Sequence, residues 1–283
     1  MQVIARRWVR RAPAYALLLL CAVVLMFPLY VLVIDGLHPI EEFLNDPPPS
    51  LWPSHPQWGN YFSQNGAGGG GDATLSRYLI NSVIVSVVIT IGQLMTSALA
   101  AYAFAFLRFP GRNALFMLFL ATMMVPLEVA IIPNFQTIQW LGWTDTYQGL
   151  VAPFLATGFG TFLLRQHFLT IPAELRDAAE MDGYGHFRFL ISIVLPLARG
   201  ALATLAIFAF LQAWNQYLWP LLVTNDPSMR TVQIGIASDA TQKLNQINVA
   251  FASTFLAFVP MLVLVVGFQR FLVRGLFGGS VKG

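Results

Sequence analysis

Ile171–Arg199 reads IPAELRDAAEMDGYGHFRFLISIVLPLAR, the one long polar interruption between two hydrophobic runs. Thr170 and Pro172 signal a helix start and Asp182-Gly183 a stop, so the spacing predicts a short helix between them. At about 100° per residue, Leu175, Ala178, Ala179 and Asp182 fall on one side. Arg176 and Glu180 fall on the other, spaced i,i+4 for an ion pair. After the glycine, Phe187, Leu190, Ile191 and Val194 make an i, i+3, i+4, i+7 stripe that Pro196 ends. A short helix with a small-residue face is a surface that another protein can approach closely.

The pattern DAAEMDG at Asp177–Gly183, with Phe187 and the Leu-Pro-Leu of 195–197, resembles the cytoplasmic EAA signature of membrane subunits of ATP-binding-cassette importers. Asp177 stands where that signature usually has Glu, and Gly200 where a second proline usually follows. Asp keeps the charge on a shorter arm and Gly200 loses a rigid turn, so the surface survives both departures. An ordinary amphipathic helix lying on the membrane is the competing account.

A chain of 283 residues that is 57% hydrophobic and only 10% charged lies outside the soluble range and points to several membrane spans. The single cysteine, Cys21, excludes an intramolecular disulfide framework or a cysteine metal site. Ala14–Ile34 is apolar and long enough to cross a bilayer, with Pro28 inside it predicting a kink. It is too long for a signal-peptide core and lacks a small-x-small cleavage site, so it reads as a retained first span. Residues 35–77 form a long external loop with a Pro-rich stretch and a glycine run at Gly66–Gly71, which lacks the Lys-Ser/Thr of a phosphate loop. Tyr78–Leu107 reads as the second span, and Ala114–Ile132 as the third, broken near its end by Pro126 and Pro133. A polar loop at Asn134–Gln148 leads to the fourth span, Gly149–Leu164. Ala201–Val223 and Val249–Phe268 read as the fifth and sixth.

The expected fold is therefore all-α: one polytopic transmembrane domain over 1–283, with six transmembrane helices. Its N-terminal segment 1–13, the loop 166–199 and the tail 270–283 share one side. That side carries thirteen of the sixteen Lys and Arg residues, and only Arg77, Arg230 and Lys243 lie opposite. Such asymmetry predicts that both termini and the Ile171 loop are cytoplasmic. The basic residues are divided among short loops, which argues against nucleic acid as a partner.

The resemblance extends along most of the chain. Asn60-Tyr61, RFPGR at Arg108–Arg112, WNQYLWPLL at Trp214–Leu222 and RGLFGGSVKG at Arg274–Gly283 are similar to carbohydrate-type importer permeases of the maltose and glycerol-3-phosphate group, nearest the glycerol-3-phosphate branch. That resemblance implies a prokaryotic inner-membrane location. The implied partners are a homologous second permease, an ATPase dimer and an extracytoplasmic binding protein, besides membrane lipid. It also implies that ATP and Mg are used by the partner ATPase, with no cofactor on this chain. The coupling residues would be Asp177, Ala178, Ala179, Asp182 and Gly183, with the Ala178–Ala179 face in a groove of the ATPase and the tail from Arg274 against the same partner.

The residues also weigh against two competing classes, with an ion-coupled secondary transporter kept as the alternative reading. The chain has only two lysines, Lys243 and Lys282, and neither ends a glycine-rich nucleotide loop. A secondary transporter is expected to bury several ionisable sites at the midplane. Here one acid, Glu128, accompanies the neutral Asn81, Gln93, Gln212, Asn215 and Gln216. A membrane enzyme needs clustered acids, bases or metal ligands, whereas His38, His55, His167 and His186 are scattered among loops, so no catalytic or metal residue is assigned. The expected substrate path runs past Glu128 and the Trp214, Asn215, Gln216 and Tyr217 cluster, whose aromatic faces and amides suit hydroxylated solutes. An interfacial aromatic belt is the other account of that cluster. The expected substrates are a glycerol phosphate, a glycerophosphodiester or a neutral sugar, although Glu128 would repel an anion unless protonated or paired with a cationic headgroup.

Overall fold

The computed structural model describes residues 2–44, 50–62, 74–242 and 246–277, and all their regular structure is helical. In chain order, α1 is Gln2–Leu37, α2 Ile40–Leu44, α3 Gly59–Phe62 and α4 Leu75–Phe106. Next come α5, Arg112–Thr122, α6, Leu127–Trp140, α7, Tyr147–Val151, and α8, Gly158–Phe168. The Ile171 loop holds α9, Ala173–Met181, and α10, His186–Phe189, which runs through a π turn into α11, Leu195–Leu197. The chain continues with α12, Arg199–Trp214, α13, Leu218–Val223, α14, Val232–Gln242, and α15, Ile247–Phe277.

Among the described residues, three helical stretches are long and apolar enough to cross a membrane: Pro13–Leu37, Leu75–Phe106 and Ile247–Gln269. They match the expected first, second and sixth spans. Only 6% of the first stretch is buried, so its leucine-rich surface requires cover from lipid or another protein. Pro28 sits inside the continuous α1.

The other expected spans are discontinuous. Tyr147–Phe154 and Gly158–Phe168 pass as one crossing only if a 47° bend is allowed, and His186–Leu197 with Arg199–Trp214 only with an 81° bend. The expected fifth span, Ala201–Val223, needs correction: α12 ends at Trp214, and Asn215 caps it by donating from Nδ2 to the Leu211 carbonyl at 2.8 Å. In the expected third span the helix stops at Thr122 and restarts after Pro126, whose missing N–H is harmless at a helix start. Pro133 does not end a helix: α6 continues through it to Trp140, so most of the loop expected at Asn134–Gln148 is helical.

The chain forms two compact units, Met1–Leu75 with Ile236–Val259, and Ser76–Gly235 with Pro260–Gly283. In the first unit, the described part of the 35–77 loop is tied down. Buried His38 binds the Glu42 carboxylate through Nδ1 and meets the Ser50 carbonyl at 2.9 Å through Nε2. His38 is therefore a buried, partnered histidine. Asn60 donates to the Gly36 carbonyl at 2.9 Å, Tyr61 to that of Val33 at 2.9 Å, and Asn248 to that of His38 at 3.0 Å. Burial, with Asp35 adding to it, pushes the Tyr61 hydroxyl up to about 12. The glycine run Gly66–Gly71 lies outside the described residues.

Among the described residues of the second unit, two apolar clusters stand out. One joins Ala98, Ala101 and Tyr102 of α4 to Leu164 and Phe168 of α8, Leu205 of α12, and Ala179, Phe189, Leu190 and Val194 of the Ile171 loop. Gly160 permits this approach: a Cβ there would lie 2.3 Å from Ser97 Oγ. The other cluster gathers Val85, Ile89, Ile138, Leu150, Ala213, Trp219 and Val223. Asn81, fully buried, donates to the Ser228 and Arg230 carbonyls at 2.8 and 2.9 Å and accepts from Tyr147 at 2.7 Å, so it is spent on structure.

Candidate functional site

The helix expected in the Ile171 loop forms as α9. Pro172 precedes its first residue and Glu174 places a carboxylate in its first turn, where the helix dipole favours negative charge. Thr170 does not cap it; its hydroxyl donates back to the His167 carbonyl at 2.7 Å. At the other end Gly183 adopts φ 75°, and the chain closes with Gly183 N–H donating to the Glu180 carbonyl at 3.1 Å and Tyr184 N–H to that of Ala179 at 2.8 Å. This crossed pair is the Schellman arrangement, which satisfies carbonyls that a helix end leaves open and favours glycine at the left-handed position. Arg176 and Glu180 make the expected ion pair at 3.0 Å, worth well under about 1 kcal/mol because solvent reaches both, Arg176 being half-buried and Glu180 exposed.

The two alanines do not share a face. Ala179 is 4% exposed and belongs to the apolar cluster of the second unit, whereas Ala178 is exposed. One residue advances the helix by about 100°, enough to turn one alanine inward while the other points out. The outward surface carries Glu174, Asp177, Ala178 and Met181, with Asp182 and Gly183 exposed beside it. Beneath α9, the Tyr102 hydroxyl and His186 Nδ1 are 3.0 Å apart, at the edge of a recess of about 150 Å³. Nothing in the sequence singles out Tyr102.

The apolar stripe that follows is also re-aimed. Leu190 and Val194 are buried as expected, but Phe187 is 69% exposed and Ile191 is exposed. Phe189 takes the inward place because Leu190–Val194 winds as a π turn, which shifts the register of the side chains. Pro196 does not end the segment; it sits inside α11, and the 81° bend falls at Ala198.

A second concave feature lies where the helices break. Between α7 and α8 the Phe154 and Leu155 carbonyls lose their places in a continuous helix. Gln93 Nε2 donates to the first at 2.9 Å and Thr96 Oγ1 to the second at 2.8 Å. Backbone freed at membrane depth has to find such partners. The surrounding cavity, about 430 Å³, is lined by Gln93 of α4, Thr122 and Met123 at the end of α5, Thr157 and Phe159 beside and within α8, and Phe208 and Gln212 of α12.

None of the five expected substrate-path residues lines it. Glu128 is exposed in the first turn of α6. Trp214 is 1% exposed and stacks on Phe210 at 5.7 Å, so it is a core residue. Asn215 is a helix cap, and Tyr217 is exposed. Gln216 is half-buried, and its Oε1 has no hydrogen-bond partner among the described residues. Trp219, buried at 4%, donates from Nε1 to the Gly149 carbonyl at 3.1 Å, which fixes α13 against α7. The buried Trp214 and Trp219 also fail to make an aromatic belt. For the tail, α15 runs to Phe277, and residues 278–283 lie outside the described residues.

A family model for binding-protein-dependent transport system inner membrane components matches residues 93–278. A relative from Agrobacterium fabrum, the sn-glycerol-3-phosphate transport system permease protein UgpE, is 40% identical over 277 residues, covering 96% of this chain and 98% of its own. The protein of the same name from Rhizobium meliloti is 38% identical over 279 residues, with the same coverage. Among solved structures, a bacterial ABC transporter involved in the import of the acidic polysaccharide alginate superposes with a TM-score of 0.79 at 20% identity, covering 94% of this chain and 97% of that one. A bacterial alginate ABC transporter in complex with a periplasmic protein bound to an alginate pentasaccharide gives a TM-score of 0.61 at 14% identity.

Proposed function

The chain belongs to the family of binding-protein-dependent transport system inner membrane components, and from that premise we propose that it is one of two membrane subunits of an ATP-driven importer of sn-glycerol-3-phosphate. The observation that carries this reading is the 40% identity, over nearly the whole of both chains, to a permease named for that substrate. The chain is a multi-pass, non-catalytic component of the cytoplasmic membrane. ATP and Mg are used by a partner ATPase dimer, a homologous second permease completes the membrane part, and an extracytoplasmic binding protein delivers the solute.

In this reading α9 is the coupling element. Asp177, Ala178, Asp182 and Gly183 present the outward surface to the ATPase, and Ala179 holds the helix on its own chain. The exposed Phe187 and Met181 extend the apolar contact area, which a partner would cover. The tail from Arg274 onward lies against the same ATPase. Six crossings with both termini in the cytoplasm fit the charge asymmetry, two of them carried by the bent pairs and one by α5 with α6. The substrate path runs past Glu128 and the Trp214, Asn215, Gln216 and Tyr217 segment, where the buried Trp214 and the helix cap Asn215 act through packing.

The test is uptake of radiolabelled sn-glycerol-3-phosphate by cells lacking other routes for it. Uptake is expected to require this chain and the ATPase together. Persistence without the ATPase, driven by an ion gradient alone, would refute the reading, and so would a wild-type importer that takes up only disaccharides.

A further inference from the structure

We infer that the cavity at the helix breaks is a hydroxyl-recognition subsite of the importer, which receives the polyol end of the substrate and leaves the phosphate to groups outside this chain's cavity. The inference rests on the function proposed above and adds to it the site and the part of the solute it reads. At about 430 Å³ the cavity lies within the range of small-molecule sites and exceeds what one three-carbon polyol fills. Among the described residues, its lining contains no charged side chain. A dianion has no counter-charge there, whereas a hydroxylated carbon chain has what it needs.

The donors and acceptors are specific. Gln212 has no hydrogen-bond partner among the described residues, so its amide offers both a carbonyl and an N–H₂. Gln93 has its Nε2 committed to the Phe154 carbonyl, which leaves Oε1 to accept from a hydroxyl. Thr122 and Thr157 add hydroxyls from the ends of α5 and α8, and Phe159 and Phe208 add apolar faces for carbon. Three of the contributing segments are helix breaks or ends, where a moving helix fragment changes the cavity most directly. Glu128 does not line the cavity, so the polyol end meets no acid there.

The experiment uses the assembled importer in proteoliposomes with its binding protein, and sn-glycerol-3-phosphate as the probe. Gln212→Leu is expected to lower kcat/KM for uptake about tenfold, equivalent to about 1.4 kcal/mol and to one or two lost neutral hydrogen bonds. Ala156→Trp, which fills the cavity from an exposed lining position, is expected to abolish uptake. Co-purification of the partners confirms assembly of each variant. A third measurement reads occupancy directly. In a Cys21→Ser background the chain has no other thiol, and modification of Gln212→Cys by a small polar maleimide is expected to slow during turnover of sn-glycerol-3-phosphate. Wild-type uptake kinetics in both Gln212→Leu and Ala156→Trp, or an unslowed modification rate, overturns the subsite while leaving the importer intact. Failure of the wild-type complex to import sn-glycerol-3-phosphate overturns the function reading and takes the subsite with it.

Discussion

Ala178 and Ala179 differ by one position and by the whole direction in which they act. A tryptophan at Ala179 has to enter the cluster around Tyr102 and Phe189, where overpacking costs about 1–3 kcal/mol. Ala179→Trp is therefore expected to lower the melting temperature of the purified chain. Ala178→Trp meets no such crowding, so it should leave the melting temperature within error and uncouple ATP hydrolysis from uptake by holding the ATPase away. Equal melting losses in both variants would contradict the inward and outward assignment. Glu42 gives a residue-scale prediction of another kind. A hydrogen bond from Ser54, then one from His38, holds its carboxyl below the ordinary 4.5. A depressed folded value means these contacts stabilise the loop fully above 4.5 and are lost as the pH falls through the folded value beneath it. Protection factors for amide exchange across residues 50–62, corrected for the acid slowing of intrinsic exchange, should fall on acidification in that window, and Glu42→Gln should flatten the dependence.

At the scale of elements, what the sequence reveals depends on whether the signal is local. The helix of the Ile171 loop was readable because its stop, Asp182-Gly183, is a local instruction that the left-handed φ of Gly183 carries out. The three continuous spans were readable because twenty or so apolar residues have few other fates. The breaks were not. Only tertiary partners such as Gln93 and Thr96 reveal that α7 and α8 separate, since their side chains receive the freed carbonyls from a distant helix. Trp214 misled for a related reason. An aromatic beside amides resembles a sugar site, but its burial against Phe210 depends on packing that no spacing encodes. Gln93 and Gln212 were visible as mid-span polar residues, and only the fold brings them to one cavity. Gly160 shows the same dependence on neighbours. Gly160→Leu would place its Cβ 2.3 Å from Ser97 Oγ and 3.0 Å from Leu205, prising α8 from α4 and α12. The expected result is a loss of about 1–3 kcal/mol, or failure to assemble, read as a lower melting temperature or lost co-purification. Wild-type stability would show that the helices can separate there without cost.

For the whole molecule, the question is which side of the membrane each polar segment occupies, because the direction of import depends on it. Thirteen of sixteen basic residues lie on the side assigned to the termini and the Ile171 loop. Positive charge is retained on the cytoplasmic side during insertion, so this bias orients every crossing at once. In the proposed six-crossing topology each bent pair changes sides once, so the discontinuous helices leave that orientation unchanged. The single native cysteine makes the orientation directly measurable. After Cys21→Ser, Trp58→Cys places a thiol in the exposed external loop and Glu174→Cys one on the exposed face of α9. A membrane-impermeant maleimide added to intact spheroplasts should label the Trp58 variant at once and the Glu174 variant only after permeabilisation. Labelling of Glu174→Cys in intact spheroplasts would put α9 outside, beyond reach of any cytoplasmic ATPase. Labelling of both variants without permeabilisation would mean an odd number of crossings between residues 58 and 174 is wrong, and with it the treatment of α5 with α6 as a single crossing.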